Sequence, residues 1–162
     1  MKTSVVYDSQ YGNTRAIAQA IGDAIPGEVR VVQVGQVKPG DLEAVDLLIV
    51  GSPTQRLRPT AAASSFVKGI PQKGLEGVKV AAFDTRLTTS EIEKIRILAF
   101  FVRIFGYAAA PIADRLVKKG GELAVPPEGF YVVGHEGPLV EGEVERAAAW
   151  ARQIVATLKV RP

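Results

Sequence analysis

No cysteine occurs among the 162 residues, so disulfides, thiolate nucleophiles and cysteine-ligated metal or iron–sulfur centres are excluded. A single histidine, His135, leaves no material for a multi-histidine metal site and argues against a histidine-dependent triad. Aromatic residues are sparse at 7%, with one tryptophan. Lysine and arginine exceed the acidic residues by only three and are scattered along the chain. A nucleic-acid reader wants a clustered basic face and aromatic platforms, so no nucleic-acid partner is expected. The apolar run in "MKTSVVYDS" is too short for a secretory signal, and a cytoplasmic setting is the expectation. No internal repeat, low-complexity tract or dividing linker interrupts residues 1–162, which are expected to form one domain with a sizeable core.

What is present is an alternation of apolar strands and helical stripes. Val5 to Tyr7 reads as the heart of a buried strand, and "VRVVQV", "DLLIVGSPT", "VKVAAFDTR" and "FYVV" follow as strands two to five. After the first strand, Ile17, Ile21 and Ile25 fall four apart on one helical face, closed by Pro26-Gly27. Further helices are predicted from 61 to 70, from 110 to 119, and over "EGEVERAAAWARQIVATL", where Val144, Ala148, Ala151 and Val155 trace the apolar stripe. Nearly all-apolar strands alternating with helices indicate a parallel sheet covered on both faces. Five strands suit a doubly wound α/β sheet in the order 2-1-3-4-5, whose ligand crevice lies beyond the strand C-termini.

That topology gathers three polar turns on one rim: Ser9 to Thr14, Gly51 to Thr60, and Asp84 to Thr89. The first opens a helix, whose N-terminus presents unpaired N–H groups and partial positive charge and so favours a phosphate. Gly12 allows close backbone approach, while Ser9, Asn13 and Thr14 add side-chain hydrogen bonds. The plainer reading is that Asn13 or Thr14 merely caps the helix. The pattern is neither a Walker loop nor a dinucleotide fingerprint.

Ser9-Gln10-Tyr11-Gly12-Asn13-Thr14 resembles the FMN-phosphate loop of flavodoxins and flavodoxin-like quinone reductases. Gly51-Ser52-Pro53-Thr54 resembles the first isoalloxazine loop of the family, and Phe83-Asp84-Thr85-Arg86 the second. "EGPLVEGEVERAAAWA" is similar to the C-terminal segment of a prokaryotic branch of flavodoxin-domain proteins. The resemblance implies FMN as cofactor. It places the phosphate on Ser9, Gln10, Tyr11, Gly12, Asn13 and Thr14, and the ring between Ser52, Pro53, Thr54 and Gln55 on one side and Asp84, Thr85 and Arg86 on the other. It also implies electron transfer with protein partners, with the redox chemistry belonging to the cofactor.

Three departures from that pattern carry expectations. The two ring loops lack the aromatic side chains that usually sandwich the flavin, leaving Leu57 and Leu87 as apolar faces and Tyr11 as a contact for the ribityl chain. Trp150 is expected in the core or at an interface. Arg56, Arg58 and Arg86 stand where shuttle flavodoxins are acidic, so their charge is expected to raise the reduction potential and to select partners with an acidic docking face. Finally, an extra apolar helix is predicted after strand four, beginning at Glu91 and ending at Phe105, with Ser90 and Glu93 in capping-box spacing. A helix apolar nearly all round must be covered, by its own domain, by a second copy in a homodimer, or by a membrane surface or hydrophobic partner. His135 is expected at the rim, and Glu141, Glu143 and Glu145 at a solvated helix start. An FMN-dependent NAD(P)H:quinone-type reductase and a flavin-free interaction module are the alternatives to an electron carrier.

Overall fold

The computed structural model describes residues 1–88 and 107–159. Six strands, β1 (Lys2–Tyr7), β2 (Glu28–Gln33), β3 (Leu47–Pro53), β4 (Lys79–Leu87), β5 (Glu122–Leu123) and β6 (Glu128–Val132), form one parallel sheet. The order is β2-β1-β3-β4-β5, with β6 also paired to β4. This is the 2-1-3-4-5 sheet with its fifth position divided. β5 lies beside the start of β4, opposite Lys79 and Val80, whereas β6 lies beside its end, opposite Phe83 to Leu87. Pro126-Pro127 separates the two pieces, and a proline has no N–H to offer a ladder. The sequence had shown only the second piece.

Helices α1 (Asn13–Ala24), α2 (Ala61–Gly69), α3 (Ala109–Lys118) and α4 (Glu143–Lys159) cover the sheet. Alternate strand residues are shared between the faces, the period of two that a pleat imposes. Val5, Tyr7, Leu47, Ile49, Ala81 and Phe83 pack against α1 and α4. Val6, Leu48, Val50, Val80 and Ala82 pack against α2 and α3. Phe83, Phe130 and Trp150 meet edge-to-face with centroids 6.0 to 6.3 Å apart, so the lone tryptophan is a core residue.

The apolar face of α4 differs from the expected stripe. Glu143, Ala147, Trp150, Ala151, Ile154 and Val155 are buried, and Val144 is exposed. The register is set by Trp150, the largest side chain on the helix, which gains most from burial. Glu143 is likewise not solvated: it accepts hydrogen bonds from the Tyr131 amide at 2.7 Å and from the Arg146 guanidinium at 2.9 and 2.6 Å. This pairing ties the start of α4 to β6. The predicted helix between Glu91 and Phe105, with the homodimer or membrane contact assigned to it, lies outside the described residues. Among the described residues, no helix is long and apolar enough to cross a membrane.

Candidate functional site

The first loop leaves β1 at Tyr7 and enters α1 through Gly12, whose φ of +93° only glycine adopts without strain. Ser9 Oγ accepts from the Gly12 amide at 3.1 Å and the Arg15 amide at 3.3 Å, folding the loop around the helix start. Neither Asn13 nor Thr14 caps the helix. The amides of Gln10, Tyr11, Asn13 and Thr14 donate to no acceptor among the described residues. Asn13 instead donates through Nδ2 to the Glu136 carbonyl at 3.0 Å. Thr14, fully buried, shares a 2.8 Å hydrogen bond with the Thr85 hydroxyl.

The second loop follows β3. Ser52 is buried, with its hydroxyl turned into its own loop: it donates to the Pro53 carbonyl at 2.9 Å and accepts from the Thr60 amide at 3.0 Å. Beyond it, Gln55 and Arg58 exchange two backbone hydrogen bonds of 2.9 Å, closing a tight hairpin over Arg56 and Leu57. Both central residues have positive φ, 47° and 66°, as a type I′ turn requires. The third loop, at the end of β4, holds Asp84 fully buried beneath Thr85 and Arg86. Burial pushes the Asp84 carboxyl above the ordinary carboxylate range, against the opposing hydrogen bond and charge of Arg86.

Direct bonds join the three loops. Thr14 meets Thr85, Gln55 Nε2 donates to Gln10 Oε1, and the Thr54 amide donates to the Thr85 carbonyl at 2.9 Å. Between them open two adjoining cavities. The smaller, about 80 Å³, is lined by Ser9, Gln10, Tyr11, Asn13 and Thr14 together with Pro53, Thr54, Gln55, Thr85 and Arg86. The larger, about 730 Å³, extends over the hairpin of residues 55–58 to Tyr107. The two share Gln10, Thr54, Gln55, Arg86, Leu87 and His135. No carboxylate among the described residues lines either cavity, whereas Arg56, Arg58 and Arg86 do.

Most of the residues singled out in the sequence thus converge on one opening. Gly12 shapes the turn, and Ser52 and Asp84 stand behind the wall as supports. Leu57 and Leu87 both line the larger cavity. Arg86 is not the free loop cation expected: it forms a bidentate pair with Asp84. Two lining residues received little or no weight from the sequence. His135 reaches back to Tyr11, Nε2 to Oη 3.4 Å and rings 5.5 Å apart edge-to-face; its only signal was its position just after the fifth strand, on the ligand rim. Tyr107 lies 3.7 Å beneath the Arg86 guanidinium. It had no local signal, because it stands 21 residues beyond Arg86, the side chain it packs against.

The site also fits the group that the loops imply. Four amides at the positive end of α1 with no acceptor among the described residues suit a phosphate dianion. The adjoining cavity, with apolar walls and arginine at its rim, is of the size that small cofactors occupy.

The chain matches the flavodoxin domain model over residues 4–125, and it belongs to that family. No curated protein sequence matches it significantly. Among solved structures it is similar to a flavodoxin from the domain Archaea, at 24% identity and a TM-score of 0.73 over 98% of this chain and 99% of that one. Flavodoxin 2 from Bacillus cereus is 26% identical with a TM-score of 0.73, over 96% and 99%. Rubredoxin oxygen:oxidoreductase from Desulfovibrio gigas is 18% identical with a TM-score of 0.73, and the likeness spans 98% of this chain but 36% of that one.

Proposed function

We propose that this chain is a cytoplasmic FMN-binding electron-transfer protein. The observation that carries the reading is that the amides of Gln10, Tyr11, Asn13 and Thr14 have no acceptor among the described residues and belong to residues that line, at the head of α1, a cavity that no described carboxylate lines. Those amides, with the Ser9 hydroxyl, receive the phosphate. Pro53, Thr54, Gln55, Thr85 and Arg86 bound the space for the ring. The Gln10–Gln55 and Thr14–Thr85 bonds hold the three loops in place before the ligand arrives, so little ordering cost remains at binding. The bound flavin would supply the capacity to accept and release electrons. Arg56 and Arg58, exposed on the hairpin at the cavity mouth, favour encounter with a partner whose docking face is acidic.

The test is the visible spectrum of protein incubated with FMN and freed of excess. The reading predicts flavin bands that stay with the protein, and no consumption of NAD(P)H by the loaded protein alone. Rapid NAD(P)H consumption without an added reductase would favour the hydride-accepting reductase. A colourless product would contradict flavin binding and leave the interaction module.

A further inference from the structure

We propose that Asp84 is a positioning residue of this site: it fixes Arg86 as a charge-compensated hydrogen-bond donor at the junction of the two cavities. The ring space is then walled by a carboxylate–guanidinium pair rather than by a free cation. This inference rests on the FMN reading above.

Asp84 stands on β4 between Ser52 of β3 and Gly129 of β6. Its carboxylate is fully buried and accepts three hydrogen bonds: from Arg86 Nε at 2.6 Å, from Arg86 Nη2 at 2.8 Å and from the Ala109 amide at 2.8 Å. The last bond sets the negative charge at the start of α3, the end where a helix favours it. The guanidinium is held from other sides too. Tyr107 lies 3.7 Å from its Cζ, and a Cβ on Gly129 would stand 2.1 Å from it. That spacing admits the arginine only because residue 129 has no side chain. Nη1 alone has no partner among the described residues, and Arg86 lines both cavities. A planar fork gripped along one edge presents its remaining donors in a fixed direction.

The pair makes the two charges interdependent. Asp84 is already drawn toward its neutral form by burial, with Glu128 adding to that pull and Arg86 opposing it. If Arg86 is removed, the carboxyl loses the hydrogen bonds and charge that oppose burial and moves further toward its neutral form, so the local charge changes little. If Asp84 is neutralised, a poorly solvated guanidinium is left uncompensated beside the ring space. Positive charge there favours the electron-rich form of any bound redox group.

The experiment is a redox titration of the FMN-loaded wild type, D84N, R86Q and the D84N/R86Q double variant at neutral pH, with FMN affinity measured alongside. The expected result is a more positive potential for D84N alone, with R86Q and the double variant close to wild type. A negative shift in R86Q with D84N unchanged would mean that Arg86 acts as a free cation, overturning the inference. Four indistinguishable potentials would overturn it as well. Should D84N fail to fold, D84S, whose smaller neutral side chain can still accept a hydrogen bond, takes its place with the same expected and contrary outcomes. A wild type that takes up no FMN defeats the reading beneath the inference and the inference together; loaded protein with the wrong pattern defeats the inference alone.

Discussion

Ser9 illustrates how one small side chain prepares a site. Its Oγ takes up the amides of Gly12 and Arg15, so the loop closes while the amides of Gln10, Tyr11, Asn13 and Thr14, residues that line the smaller cavity, keep no acceptor among the described residues. Ser9→Ala should leave those two amides without their acceptor and remove a donor to the phosphate. A hydrogen bond contributes about 1 kcal/mol, more to a charged group, so FMN affinity should fall roughly tenfold, measured by fluorescence titration. Glu143 offers a second test. Burial would raise its carboxyl, but the Arg146 and Tyr131 hydrogen bonds and the Arg146 charge outweigh that and hold it below the ordinary range. A depressed carboxylate stabilises the fold above its unfolded pKa, and that contribution is lost as pH falls through the folded value. Glu143→Gln should therefore cost about 1 kcal/mol at neutral pH, a modest figure because Arg146 is 37% exposed. The difference from wild type should shrink in acid, as denaturant unfolding at several pH values would show. Legibility at this scale was uneven. Ser9 could be placed at the helix start because a strand–turn–helix transition gives local meaning to a hydroxyl, whereas Thr14, expected to bond the phosphate or cap the helix, instead shares its hydroxyl with Thr85. Glu143 could not be read, because its partners are the β6 amide of Tyr131 and a side chain whose direction depends on packing.

Among the elements, the hairpin of residues 55–58 is the clearest case of local cost held by context. Arg56 and Leu57 occupy left-handed backbone, where an L side chain costs roughly 1–2 kcal/mol per residue. Such strain persists where the surroundings fix it and tends to gather at ligand sites. Replacing the pair by Asn-Gly, the residues the turn prefers, should stabilise the protein by about 1–2 kcal/mol in denaturant unfolding while removing Leu57 from the larger cavity. A loss of stability would mean that the Leu57 side chain contributes more packing than its backbone costs. The sequence did not disclose this turn, since neither residue is a turn former. The division of the fifth strand was written plainly in Pro126-Pro127, yet a two-residue strand at Glu122–Leu123 is too short to show a period. The stripe of α4 was misplaced by part of a turn because alanine fits either face, and only the packing of Trp150 against Phe83 and Phe130 fixes the register.

At the scale of the whole molecule, the alternating apolar pattern and the strand order were legible because a parallel sheet buried on both faces leaves little freedom in its connections. The convergence of three polar turns on one rim followed from that order. Two features did not follow: the closing of Tyr107 over Arg86 and the reach of His135 to Tyr11. Both join residues far apart in the chain through surfaces that only the folded sheet defines. Together they turn a rim of three loops into a bounded space with amides at one end and arginine along its wall. An equilibrium titration with FMN and, in parallel, with riboflavin tests this account most directly, since the two ligands differ only in the phosphate. The account predicts one FMN bound per chain, riboflavin weaker by at least about tenfold, and a narrowed gap in Ser9→Ala. Riboflavin binding as tightly as FMN, or neither binding at all, would contradict it.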